Sequence, residues 1–148
     1  MAWTNVPLKR YTPAMKNFTH NSLPARVVFG KGSIASLGEE IDRLGAKRAL
    51  FCCTPGREDE VSKLLAPLDN MSAGLCAIAE QYVPLPMVEV GREIAKEREA
   101  DCVVSYGGGT SVGLAKAIAL ELEIPVISAI TTFSGSETTD LQAILTDG

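Results

Sequence analysis

Histidine is nearly absent: His20 is the only one in 148 residues, so a metal centre built from this chain alone has almost no nitrogen ligands to draw on. Cysteine does not make up the deficit. Cys52, Cys53, Cys76 and Cys102 form no C-x-x-C pair, and their apolar, strand-like surroundings read as small buried hydrophobes in a reducing compartment. Runs of Lys or Arg are missing and the formal net charge is -4, which argues against a nucleic-acid backbone as partner. Nowhere is there an apolar run long enough to span a bilayer, and the start, MAWTNVPLKRYTPAMKNF, lacks an apolar core followed by a small-residue cleavage site. The expectation is a cytoplasmic protein with no membrane partner. At 46% hydrophobic and 22% charged residues the composition is that of a globular chain, long enough for one core.

Residues 1–24 show no clean periodicity and are punctuated by Pro7, Pro13 and Pro24, which predicts an arm leading into the fold. Regular alternation follows. Arg26 to Phe29 reads as a short strand, and Gly30 and Gly32 turn the chain into Ser33, a candidate cap for a helix to about Leu44 with Gly45 as its stop. Further strands are predicted at Ala49–Cys53, Leu75–Ala79, Cys102–Ser105 and Pro125–Ile130. Between them lie helices from about Arg57 to Leu65, from Pro86 to near Glu99, and after Gly109, where Leu114, Ala115, Ile118, Ala119 and Leu122 form an apolar stripe. Short apolar strands separated by such helices predict an α/β fold: a doubly wound, mostly parallel, Rossmann-like sheet with helices on both faces. The charged sets Glu58, Asp59, Glu60, Lys63 and Lys96, Glu97, Arg98, Glu99 read as solvated helix faces.

Ligands of such sheets bind beyond the carboxyl ends of the strands, and two consecutive strand ends are chemically distinctive. Gly107, Gly108 and Gly109, followed by Thr110 and Ser111, let backbone approach an anion without Cβ clashes, and the N–H groups opening a helix favour negative charge there. A dinucleotide pyrophosphate fits. Leu114 and Ala115 stand where a Walker A loop requires Lys and Ser/Thr, which removes support for nucleotide hydrolysis. The plainer reading is a tight turn with close helix–sheet packing. The second strand end carries Thr131, Thr132, Phe133, Ser134, Gly135 and Ser136, with Glu137 after them; its hydroxyls suit ribose, amide and phosphate oxygens, and Phe133 offers a face to a ring. Alone it reads equally as a helix-capping loop. Two such loops at successive strand ends favour one shared ligand. Thr54, ending the second predicted strand, is a weaker candidate; in place of a carboxylate it leaves both NAD and NADP open. Lys116 suits a phosphate contact or a surface ion pair.

These residues resemble the iron-containing alcohol dehydrogenase family, and within it the maleylacetate reductase branch. The resemblance runs from Met15 onward: Met15 to Phe18 and Leu23 to Gly30 look like a family N-terminus, Gly107 to Thr110 like its phosphate loop, and Thr131 to Glu137 like its second cofactor loop. Gly113 stands where metal-dependent members usually carry aspartate, and the short Thr132–Glu137 loop also looks like that of the reductases. The resemblance divides the chain into an extension, 1–14, and a dinucleotide-binding α/β domain, 15–148. It implies a homodimer, paired in part through residues 15–30. It also implies reduction of maleylacetate to 3-oxoadipate with NADH or NADPH in the breakdown of aromatic compounds.

The resemblance implies that the family's second, all-helical domain, which supplies its metal ligands or the corresponding histidines, is absent from this chain. No catalytic residue and no metal ligand is therefore assigned here, and iron or zinc enters only if that domain binds one. Two other readings stay open: a metal-dependent alcohol dehydrogenase of the same family, and a fragment that binds a nucleotide or another chain without catalysis.

Overall fold

The computed structural model describes residues 25–139 and 143–146; the predicted arm 1–24 with its extension 1–14, the resemblance over 15–24 and His20 lie outside them. Four strands, β1 (Ala49–Cys52), β2 (Ser72–Cys76), β3 (Cys102–Gly107) and β4 (Val126–Ile130), form one parallel sheet in the order β2-β1-β3-β4. Helices α1 (Leu37–Arg43), α2 (Glu58–Leu65), α3 (Leu85–Glu97) and α4 (Gly109–Leu122) connect or precede them. Alternate strand residues define two cores. Ala49, Phe51, Cys53, Cys102 and Val104 pack with Leu37, Ile41 and Val61 of α1 and α2. Leu50, Cys52, Val103 and Cys76 pack on the opposite face with Val88, Ala95, Leu114 and Ile118 of α3 and α4. The fold is thus doubly wound α/β, with β1 and β3 at the point where the order reverses.

Packing accounts for the elements that sit where expected. Gly45, at φ 75°, ends the first helix in the left-handed region, and Pro86 lies in the first turn of α3. Helix α4 is buried on more than one stripe, with Val112 and Ala117 also enclosed, because β3 and β4 lie beneath it and α3 beside it. A Cβ on Gly91 of α3 would stand 2.6 Å from Ile118 Cδ1, which measures how closely these two helices approach. Arg92 holds the same interface, its Nε and Nη2 donating to the Ala117 carbonyl at 3.2 and 3.1 Å and its Nη1 lying 2.8 Å from Glu121 Oε2.

Several expectations need correction. Arg26–Phe29 belongs to none of the four strands; Val27 and Phe29 are 74% and 86% exposed, because apolar residues make a strand only where a partner edge meets them. Ser33 opens a 3-10 turn, Ser33–Ser36, and α1 begins only at Leu37; Ser36 Oγ donates to the Ser33 carbonyl at 2.8 Å instead of capping the helix. Strand β2 starts three residues before the predicted Leu75. Its parallel register against β1 pairs Cys52 with Cys76, and Ala79 N–H then bonds the Cys53 carbonyl as the chain leaves the sheet. Arg98 is no solvated charge: its Nη1 donates to the Ala73 and Leu75 carbonyls at 3.3 and 3.2 Å along the outer edge of β2. The four cysteines are buried and unpaired by disulfide, as expected. No helix among the described residues is long and apolar enough to cross a membrane.

Candidate cofactor site

Strand β3 ends at Gly107, and α4 begins two residues later. Gly107 has φ 139°, where L side chains are rare, and a Cβ on it would also stand 2.7 Å from Ser111 Oγ. Gly108 then turns the chain into the helix, its carbonyl accepting the first helical N–H from Val112 at 3.1 Å. The N–H groups of Gly109, Thr110 and Ser111 precede that bond and have no intrahelical acceptor, so the helix presents them and its positive end at the sheet's carboxyl edge.

The second loop leans on this turn. Thr131 N–H donates to the Gly107 carbonyl at 2.8 Å, continuing the pairing of Gly107 with Ile130. A Cβ on Gly108 would lie 2.5 Å from Thr132 Oγ1, and one on Gly109 would lie 3.2 Å from both Cβ and Oγ of Ser134 and 3.9 Å from Ser136 Oγ. Side chains of one loop therefore occupy the space that side chains on the other would need. Gly107, Gly108, Gly109, Thr110 and Ser111 are brought together with Thr131, Thr132, Ser134, Gly135 and Ser136 at one edge, while Phe133 is 81% exposed. Thr54 is half-buried at the end of β1; β1 and β3 pair Cys52 with Ser105, so Thr54 and Gly107 each lie two residues beyond that pair.

Contacts within the second loop shape it further. Gly135, at φ 88°, precedes a single 3-10 turn, Ser136–Thr138, where a longer helix was the alternative. Glu137 folds back so that Ser134 Oγ donates to its Oε2 at 2.8 Å. Its own backbone N–H, the Ser134 hydroxyl and neighbouring loop N–H groups hold the carboxyl below its ordinary pKa. The loop's far end is tied to α4: Lys116 Nζ donates to the Thr139 carbonyl and, at 3.4 Å, to Thr139 Oγ1. Lys116 thus ties the end of the second loop to α4. Among the described residues two buried hydroxyls, Ser105 Oγ and Ser111 Oγ, have no hydrogen-bond partner. Ser111 opens the helix beneath the glycines, where a buried donor with no protein acceptor suits a phosphate oxygen or a bridging water.

Three contacts were not foreseen from the sequence. Glu137 has an internal role visible only once the loop folds. Gly113 meets Val83, since a Cβ on it would stand 2.6 Å from Val83 Cγ2; Tyr82 and Val83 both adopt positive φ, 65° and 52°, and are held by Leu145 N–H bonds to their carbonyls at 3.3 and 3.2 Å. Finally, Tyr106 donates its hydroxyl to Glu60 Oε2 at 3.0 Å, and Arg57 Nη1 donates to the same oxygen at 3.1 Å with its guanidinium 6.0 Å from the Tyr106 ring centroid. The Arg57 to Glu60 spacing of one helical turn was the available signal for that last group. Among the described residues no three His, Cys, Asp or Glu side chains come together to hold a metal ion.

The chain is 39% identical over 131 residues to a maleylacetate reductase of Sphingobium indicum, a match covering 88% of this chain and 37% of that protein. The crystal structure of maleylacetate reductase from Agrobacterium tumefaciens superposes with a TM-score of 0.79 at 41% identity, over 83% of this chain and 35% of the other. An iron-containing alcohol dehydrogenase from Corynebacterium glutamicum superposes with a TM-score of 0.81 at 30% identity, over 89% and 37%. The chain thus spans little more than a third of the length of these relatives. The family model described as iron-containing alcohol dehydrogenase matches residues 24–148, and with the parallel sheet and the paired loops at its carboxyl edge this establishes that the chain belongs to the iron-containing alcohol dehydrogenase family.

Proposed function

We propose that the chain is the cofactor-binding part of an oxidoreductase that reduces maleylacetate to 3-oxoadipate with NADH or NADPH. The observation that carries this is the interlocked pair of loops, in which Gly108 fits against Thr132 and Gly109 against Ser134. The glycines let the second loop close onto the start of α4, where the Gly109–Ser111 N–H groups have no intrahelical acceptor and form a cradle for an anion, and Ser111 Oγ is buried there without a partner among the described residues. A dinucleotide suits these residues: the Gly109–Ser111 N–H groups for its pyrophosphate, the Thr132, Ser134 and Ser136 hydroxyls for ribose and amide oxygens, Phe133 for a ring face, and Thr54 for the adenosine end. When bound, the cofactor supplies hydride. The chain's own residues bind and orient it, and the glycine turn fixes its phosphates relative to the sheet edge.

The reductase branch is favoured over the metal-dependent dehydrogenases by Gly113, because any side chain there would require Val83 to shift from α4. With this reading go a place in aromatic breakdown, a cytoplasmic location and a homodimer, with maleylacetate as small-molecule substrate and neither nucleic acid nor membrane as partner. The protein expressed from its full coding sequence tests the proposal: it should oxidise NADH or NADPH in the presence of maleylacetate. Oxidation of primary alcohols with added iron, and no turnover of maleylacetate, would establish the metal-dependent reading instead. Cofactor binding with no turnover of either substrate would favour a non-catalytic nucleotide-binding chain.

A further inference from the structure

The strand order fixes where the adenosine end of a dinucleotide in this cradle would lie. Strand β1 flanks β3 on the side away from β4. In doubly wound nucleotide folds the strand in that position carries, at its carboxyl end, the group that reads the ribose 2′ position. A carboxylate there accepts from a 2′-hydroxyl, whereas a nearby arginine receives a 2′-phosphate. In this chain the turn is Thr54-Pro55-Gly56-Arg57. Thr54 offers a hydroxyl without charge, and Arg57 is the turn's one cation. Its N–H bonds the Thr54 carbonyl at 3.3 Å, closing the turn around Gly56.

Arg57 is also preset. Its guanidinium lies 6.0 Å from the ring centroid of Tyr106, the residue directly before Gly107, and Nη1 donates to Glu60 Oε2 at 3.1 Å. A ring and a carboxylate thus hold the cation beside the glycine turn. Nη1 is one of the five N–H donors that a guanidinium carries. Resting on the reading that the cradle holds a dinucleotide, we propose that Arg57 recognises the 2′-phosphate of NADPH, with Thr54 as its uncharged neighbour.

Three carboxylates share the turn that follows, and they set the strength of this recognition. Glu58 and Asp59 are exposed in the first turn of α2, where the helix's positive end and solvent screen them. Glu60 is the direct competitor, since its Oε2 accepts from both Tyr106 and Arg57. Neutralising Glu60 should therefore free the guanidinium for phosphate while leaving Tyr106 an oxygen to donate to.

The test titrates the chain with NADH, NADPH, 5′-AMP and 2′,5′-ADP by calorimetry. The wild type should bind 2′,5′-ADP more tightly than 5′-AMP. Arg57→Gln should lose roughly tenfold to a hundredfold in affinity for NADPH and 2′,5′-ADP, the range expected for one charged hydrogen bond. Its affinity for NADH should stay within about twofold, which also reports an intact fold, and Glu60→Gln should tighten NADPH. Equal losses for both cofactors, or no loss for either, overturn the role of Arg57 while leaving the cradle standing. A wild-type chain that binds none of the four ligands overturns the cradle reading and this inference with it.

Discussion

Gly108→Ala is the substitution whose consequence follows most directly from the geometry. The residue has φ -101° and ψ -159°, an extended conformation open to any L residue, so alanine brings no backbone strain. What it brings is a methyl group 2.5 Å from Thr132 Oγ1, and ordinary contact requires about 1 Å more. Thr132 or the glycine turn must give way, and over-packing of this kind costs about 1–3 kcal/mol. That cost falls on the two loops, because Gly108 lies outside both cores. If the cradle holds a pyrophosphate, displaced loops lose one or two charge-assisted hydrogen bonds, each worth about 1.5–3 kcal/mol, and affinity falls at least tenfold. The thermal midpoint should drop by about 2–12 °C, at about 2–4 °C per kcal/mol for a chain near this size. Calorimetric titration with NADH beside a thermal melt reads both quantities. Adding Thr132→Ala removes the obstructing hydroxyl, so the double variant should recover part of what Gly108→Ala loses, a coupling that a double-mutant cycle isolates. Wild-type affinity in Gly108→Ala, or losses that simply add, would refute the reasoning.

Other expectations follow from the same contacts. Lys116→Met unties the end of the second loop from α4 and should weaken NADH binding roughly tenfold with unchanged helical circular dichroism; undiminished affinity would remove the tether. Arg98→Ala strips the Ala73 and Leu75 carbonyls of a donor along the β2 edge and should lower stability by about 1–2 kcal/mol, seen as a lower urea midpoint; an unmoved midpoint would make the contact incidental. Burial pushes the Cys53 thiol up to about 11 and the Cys102 thiol up to about 12, so these two thiols should resist alkylation at about pH 8 and react once the chain is unfolded. Folded values raised above the unfolded thiol's value, near 8.5, mean that this part of the stability is complete below that pH and lost as pH rises toward 11 and 12. The urea midpoint should therefore fall between about pH 9 and 11, and a flat profile across that range would contradict the burial of these groups.

How much was legible in advance depended on whether a residue's role is local. Gly45 and Pro86 announce helix ends because their backbone preferences act without neighbours, and the apolar runs at Ala49 and Cys102 found their strands. Leu75 misled because apolarity alone cannot set a register; the pairing of Cys52 with Cys76 does that, and it depends on a strand twenty residues away. Arg26–Phe29 has strand composition but no partner edge among the described residues. At the candidate site, both loops were readable from glycine and hydroxyl content. Their interlocking was not, because Gly108 needs to be glycine on account of Thr132, and that contact exists only after β3 and β4 pair. Gly113 was noticed as a departure from the metal-dependent pattern; its physical cause, the Val83 side chain, belongs to a turn with positive φ at two non-glycine residues, which no periodicity predicts.

The most direct test of the central claim is titration of the 148-residue chain with NADH and NADPH, following cofactor fluorescence and calorimetric heat. The account predicts saturable binding at one site per chain, strongly weakened by Gly108→Ala. No heat and no fluorescence change with either cofactor, from a chain whose thermal melt shows it folded, would contradict the assignment of the two loops as a dinucleotide cradle.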